Sequence, residues 1–119
     1  MAAPARIVLA GLATYDVIHL VDALPAPDAK VAALDFVTAA GGPAANAAVA
    51  AAHLGSRPTL LTALPRHPVS SLIADDLAGC GVDLAVVASY EGAPITASIR
   101  ISNGGKSPSE TLASVPAIA

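Results

Sequence analysis

Gly41-Gly42-Pro43-Ala44-Ala45-Asn46 is the stretch of this chain whose residue types and spacing point most directly to chemistry. Paired glycines let backbone N–H groups come close to a ligand, and the start of a helix favours polar or anionic groups. Asn46 falls about one turn inside the helix that Pro43 opens. It looks buried there, with its amide projecting into the same cleft as the loop. Asp16 is the second candidate, following directly on the first apolar run. In open α/β sheets, ligands bind beyond the carboxyl ends of the strands. A carboxylate at that place can accept two hydroxyl hydrogen bonds, as a polyol requires. On spacing alone, both stretches also have plainer readings: a tight strand-to-helix connection with an incidental Asn, and a solvated Asp in a turn.

Other chemistry-bearing residues carry less. Gly104-Gly105-Lys106-Ser107 resembles the end of a phosphate-binding loop, but Arg100 stands where that loop needs a glycine, and Pro108 disturbs the helix that should follow. His19, His53 and His67 share no ligand spacing, so no metal site is expected. Cys80, between Gly79 and Gly81, is the single cysteine, and it reads as a small turn or core residue.

The elements that must position these residues follow from periodicity. Arg6 to Leu12 is a continuous apolar run ending around Gly11, the pattern of a parallel strand buried on both faces. Asp16–Asp22 and Lys30–Thr38 read as two further strands, separated by the Pro-punctuated turn Leu24–Asp28. The alanine-dominated segment from Pro43 to Leu54 is bounded by Pro at its start and Gly55 just past its end, the usual helix limits. Pro58–Leu64 reads as a strand. Val69–Ala78 reads as an amphipathic helix with Val69, Leu72, Ile73 and Leu77 on one face. Val82–Ala88 is another strand. In Ile95–Ser102, Ile95, Ala97, Ile99 and Ile101 alternate with Thr96, Ser98, Arg100 and Ser102, marking a strand with one wet face. Ser107 with Glu110 could cap a short helix in the tail. The order is β-β-β-α-β-α-β-β, an α/β start with extra strands inserted.

At 119 residues the chain is at most one small domain or a piece of a larger one. It is 55% hydrophobic and 13% charged, which excludes disorder for most of its length. Much of that apolar content is alanine, which buries little area per residue. A net charge of -3 argues against a nucleic-acid or anionic-membrane binder. The alanine-rich run is too short to span a bilayer. The lone cysteine fits a reducing cytosol, so the expected location is cytoplasmic.

Asp16 and the Gly41-to-Asn46 loop are also where a family resemblance arises. The chain resembles the PfkB, or ribokinase-like, carbohydrate kinases from Arg6 to about Gly104. GLATYDVIHLVDALP is similar to the family's opening strand, substrate Asp and first lid strand. AGGPAANAAVAAAHLG resembles its first signature, LIADDLAGCGVDL the helix before a Gly-Val-Asp turn, and PITASIRISNG the second lid hairpin. The Asp16–Asp22 run and Ser102-Asn103-Gly104 lean toward the ketohexokinase-like branch. The resemblance implies a partial ribokinase-like α/β fold, a Rossmann-like, mostly parallel sheet with an inserted β-lid. Strands near 17–21, 31–38 and 95–102 would form the lid. Asp16 would bind sugar hydroxyls, Gly42 and Asn46 would line the same pocket, and Gly41 would shape the loop.

The chain departs from the family pattern at Pro65, where a glycine is usual, and at Arg66-His67-Pro68, which replaces a Gly-x-Asp loop. The Gly-Ala-Gly-Asp motif of the family's C-terminal half, which supplies the catalytic base and anion hole, does not occur in these 119 residues. The implied reading is the N-terminal, sugar-binding part of an ATP- and Mg²⁺-dependent kinase, with no catalytic residue of its own. No cofactor is expected to bind this part tightly, and a homodimer would form through the lid. Alternatives are a nucleoside kinase of the same family and a noncatalytic sugar-binding or regulatory module. A nicotinamide-binding domain is disfavoured, because no G-x-G-x-x-G follows Leu9.

Overall fold

The computed structural model describes residues 3–102. The tail with its Ser107–Glu110 cap, the Gly104–Ser107 run and Asn103-Gly104 lie outside them. Eight elements follow in chain order: β1 (Arg6–Ala10), β2 (Thr14–Val21), β3 (Asp35–Gly41), α1 (Pro43–His53), β4 (Arg57–Pro65), α2 (Pro68–Gly79), β5 (Asp83–Tyr90) and β6 (Thr96–Ser102). The order of types is the one the sequence predicts.

The strands form two three-stranded sheets. The first has the order β1-β4-β5, and both of its pairings are parallel. A parallel neighbour requires a crossover. Here α2 makes the second crossover, and β2, β3 and α1 together make the first. The second sheet has the order β3-β2-β6, with β3 antiparallel and β6 parallel to β2.

Both helices pack on one face of the parallel sheet. Ala45, Ala48 and Val49 of α1 and Ile73 and Leu77 of α2 share one cluster with Leu60 and Leu64 of β4, joined by Ala13, Ala40 and Val82. Leu60, Ile73 and Leu77 are wholly buried. Alternation along β4 explains the choice of face: Pro58, Leu60, Thr62 and Leu64 point under the helices, whereas Ala63 is exposed. Glycine allows the close approach of α1 to the end of β1, since a Cβ at Gly11 would lie 2.8 Å from the Ala44 Cβ.

Several expectations are corrected here. Strand β1 is not buried on both faces. Leu9 packs against the core cluster, but Val8 on the opposite face is 66% exposed. The helices cover only one side, and Val87 of β5 is likewise 67% exposed. Residues 30–34 are not strand; β3 starts at Asp35 and runs on into Gly41. Leu72 is not on the buried face of α2, being 46% exposed. The rotation of the helix puts Ile73 and Leu77 inward and leaves Leu72 at the rim. In β6 the expected dry row is only partly covered, with Ala97 and Ile101 half-buried and Ile99 exposed.

Candidate functional site

Asp16 does not sit in a turn after β1. It is the third residue of β2, which begins at Thr14. Strict alternation turns Thr14, Asp16, Ile18 and Leu20 to one buried face, where Asp16 is only 9% exposed. A carboxylate so placed needs partners, because desolvating an unpaired charge is expensive. Thr14, two residues earlier on the same face, donates its hydroxyl to Asp16 Oδ1 over 2.8 Å.

Gly41 completes this arrangement from the neighbouring strand. It pairs with Thr14 in the β2–β3 register, and Ala39 pairs with Asp16. A Cβ at Gly41 would collide with Asp16 Oδ2 and lie 2.9 Å from Thr14 Oγ1. Any side chain there would displace the carboxylate. Gly42 is the N-cap of α1 with φ 97° and ψ 149°, a left-handed backbone that favours glycine. A Cβ on it would also lie 2.5 Å from the Leu12 carbonyl oxygen. No side chain caps this helix start, and no acidic residue lies in its first turn. Its first free N–H groups therefore have no side-chain acceptor among the described residues.

The structure thus brings Asp16, Gly41 and Thr14 into contact and sets Gly42 next in the chain. Asn46 differs from expectation: its backbone N–H bonds the Gly42 carbonyl at 2.9 Å, but its side chain is exposed rather than buried. In this alanine-rich helix the inward face is taken by Ala45, Ala48 and Val49.

Two supports were not singled out in the sequence. Thr14 is one. Asp76 of α2 is the other: its Oδ2 accepts the backbone N–H of Ala40 at 2.8 Å, fixing the end of β3 just before the glycine pair. The signal was available, since Asp76 lies three residues after Ile73 and directly before Leu77, at the margin of the buried face. The unusual Arg66-His67-Pro68 loop makes its own contacts. Arg66 pairs with Glu91, its Nη2 2.6 Å from Oε1, and His67 Nδ1 accepts the Val69 N–H at 3.1 Å as the N-cap of α2. Cys80 is the C-cap residue of α2 and half-buried. Burial, with the Asp76 carboxylate as the smaller cause, pushes its thiol pKa up, which lowers its reactivity.

The polar set at Asp16 is an accepting carboxylate with the Thr14 hydroxyl. It suits a neutral polyhydroxy ligand and would repel a triphosphate, so ATP is not placed on these residues. Among the described residues no group of three His, Cys, Asp or Glu side chains is arranged to hold a metal ion. Among the same residues no helix is long and apolar enough to cross a membrane.

Known proteins share the fold described above. A protein described as a ribokinase from Agrobacterium tumefaciens superposes with TM-score 0.77 at 25% identity, covering 87% of this chain and 34% of its own. Ribokinase from Arabidopsis thaliana, solved with ribose and ATP, gives TM-score 0.67 at 30% identity over 88% of this chain and 34% of its own. A nucleoside kinase from Methanocaldococcus jannaschii shares the fold, with TM-score 0.61 at 24% identity over 86% of this chain and 34% of its own. The chain thus spans about a third of the length of these structures, and its α/β fold is ribokinase-like. The family model for pfkB family carbohydrate kinases matches residues 4–115, nearly the whole sequence, and by that match the chain belongs to this family.

Proposed function

We propose that residues 1–119 form the acceptor-binding part of an ATP-dependent sugar kinase, with Asp16 as the principal ligand for sugar hydroxyls. The observation that carries the reading is the buried Asp16 carboxylate, held by Thr14 and facing a position where only glycine fits. With Oδ1 engaged by one hydroxyl, the remaining lone pairs can accept sugar O–H groups. Gly41 leaves room for the carboxylate itself, Gly42 opens α1 next in the chain, and Asn46 adds an exposed amide one turn on. Phosphoryl transfer depends on positioning and on charge stabilisation. These residues would contribute the positioning. ATP, Mg²⁺ and the catalytic base would be held by other parts of a complete enzyme, and no catalytic residue is assigned here. The second sheet would act as the β-lid, and its exposed Phe36 and Ile99 suit a homodimer contact through it. The reading within the family is ketohexokinase-like, on the Asp16–Asp22 run and Ser102-Asn103-Gly104. A cytoplasmic location fits the single, half-buried cysteine.

The test is a kinase assay over ketohexoses, aldopentoses and nucleosides in a polypeptide of full family length carrying residues 1–119. A sugar should be the best acceptor by kcat/KM. Preference for a nucleoside would move the chain to the nucleoside-kinase reading. No turnover of any acceptor, with sugar binding retained, would mean a noncatalytic sugar-binding module.

A further inference from the structure

A concave site lies away from Asp16. An open depression of about 270 Å³ lies between the second sheet and the loop that joins β2 to β3. His19 of β2, Lys30 of the loop, and Ser98 and Arg100 of β6 line it, with Val21 and Val31 as apolar wall. Alternation along β2 separates it from the carboxylate, since Asp16 and His19 point to opposite faces of the strand. The pairing that converges the donors is fixed by register: His19 lies opposite Arg100, and Val17 opposite Ser98. The His19 ring is also set by Phe36, its partner on β3, with centroids 6.4 Å apart and planes tilted by 32°.

The charge here runs against that of the whole chain. The net charge is -3, yet a Lys, an Arg and a His gather on one depression, and among the described residues no acidic side chain lines it. Among the described residues the ion pair is Arg66 with Glu91, and none of their carboxylates lies within ion-pair distance of Lys30 or Arg100. Asp35, nearby on β3, is engaged by the Phe36 backbone N–H. An arginine fork and a lysine ammonium, joined by a hydroxyl and an imidazole, are the donor set that recognises a phosphate dianion. The volume exceeds that of a bare ion and approaches the range of small-ligand sites.

We infer that this depression binds the phosphate group of a small organic phosphomonoester, as a second ligand on the face of the sheet opposite Asp16. The phosphate sits between Arg100 and Lys30, Ser98 and His19 complete its hydrogen bonds, and the organic part rests on Val21 and Val31. The inference stands on this depression and not on the sugar-kinase reading.

Equilibrium dialysis of the whole chain against radiolabelled ribose 5-phosphate tests it, with inorganic phosphate and free ribose as competitors. The expected result is saturable binding that inorganic phosphate displaces and ribose does not. Arg100→Gln should weaken it about tenfold or more, and Lys30→Gln severalfold. Both positions are exposed, so the variants should keep the wild-type circular dichroism. Absence of saturable binding up to about 10 mM would overturn the site. So would displacement by ribose as effective as by phosphate, or binding indifferent to both substitutions.

Discussion

Strands β2 and β4 are each the middle member of a three-stranded sheet, and each turns alternate residues to a buried face. Each face also carries buried polar groups: Thr14 and Asp16 on β2, and Thr62 on β4. On β2 the carboxylate has the Thr14 hydroxyl and the gap over Gly41. On β4 the Thr62 hydroxyl has no partner among the described residues and lies beside a register shift between β4 and β5. A hydroxyl can be buried at modest cost, whereas a carboxylate cannot be held in that state without donors and room. The β2 face is therefore arranged around a polar group, and the β4 face around apolar packing that tolerates one.

Substitutions can break or sharpen that contrast. The largest effect is expected on the packed face. Leu60→Ala removes a wholly buried side chain beneath both helices and should cost about 2–5 kcal/mol in urea unfolding. Val87→Ala, on the uncovered face of the same sheet, should stay within about 0.5 kcal/mol. Equal costs would show that this face is covered after all.

The next effect compares the two buried threonines by the same exchange. Thr14→Val takes the donor from a buried carboxylate and should destabilise by about 1.5–3 kcal/mol. Thr62→Val replaces an unpartnered hydroxyl with a methyl and should be neutral or stabilising. A loss at Thr62 as large as that at Thr14 would mean that the β4 hydroxyl has a partner, and the contrast would fall.

Element order and the limits of α1 were legible because Pro43 and Gly55 punctuate segments of clear period. Burial was less so. Ile7-Val8-Leu9 reads as doubly covered, yet only the Leu9 side meets helices, and coverage by other elements leaves no trace within a strand's own sequence. In α1, alanines occur on every side, so no apolar stripe says which way Asn46 points. Asp16 and Gly41 were both singled out, but their contact is a cross-strand relation fixed by register, and β3 begins later than its apolar run suggests. Asp75 and Asp76 are adjacent carboxylates on α2, and their types alone do not distinguish them, yet only Asp76 reaches a backbone donor on β3.

That last difference yields a further test, of similar or smaller size. Asp76→Ala frees the Ala40 N–H and should cost about 1.5–3 kcal/mol, the lower end fitting its partial exposure. Asp75→Ala should be near neutral. If both are neutral, the α2 carboxylate does not hold the end of β3. The smallest effect belongs to Arg66→Ala. Its pair with Glu91 is exposed on both sides, so the loss should be about 0.2–1 kcal/mol and shrink further in high salt.

The central claim is that Asp16 is the chief sugar ligand, and sugar affinity in the Asp16→Ala variant tests it most directly. Isothermal titration of the preferred sugar, in a polypeptide of full family length, would compare wild type, Asp16→Ala and Asn46→Ala. Hydrogen bonds to a charged acceptor contribute about 1.5–3 kcal/mol, and neutral ones about 0.5–1.5. Asp16→Ala should therefore weaken binding about tenfold or more, and Asn46→Ala by less. An Asp16→Ala protein that folds and binds the sugar as tightly as wild type would contradict the account.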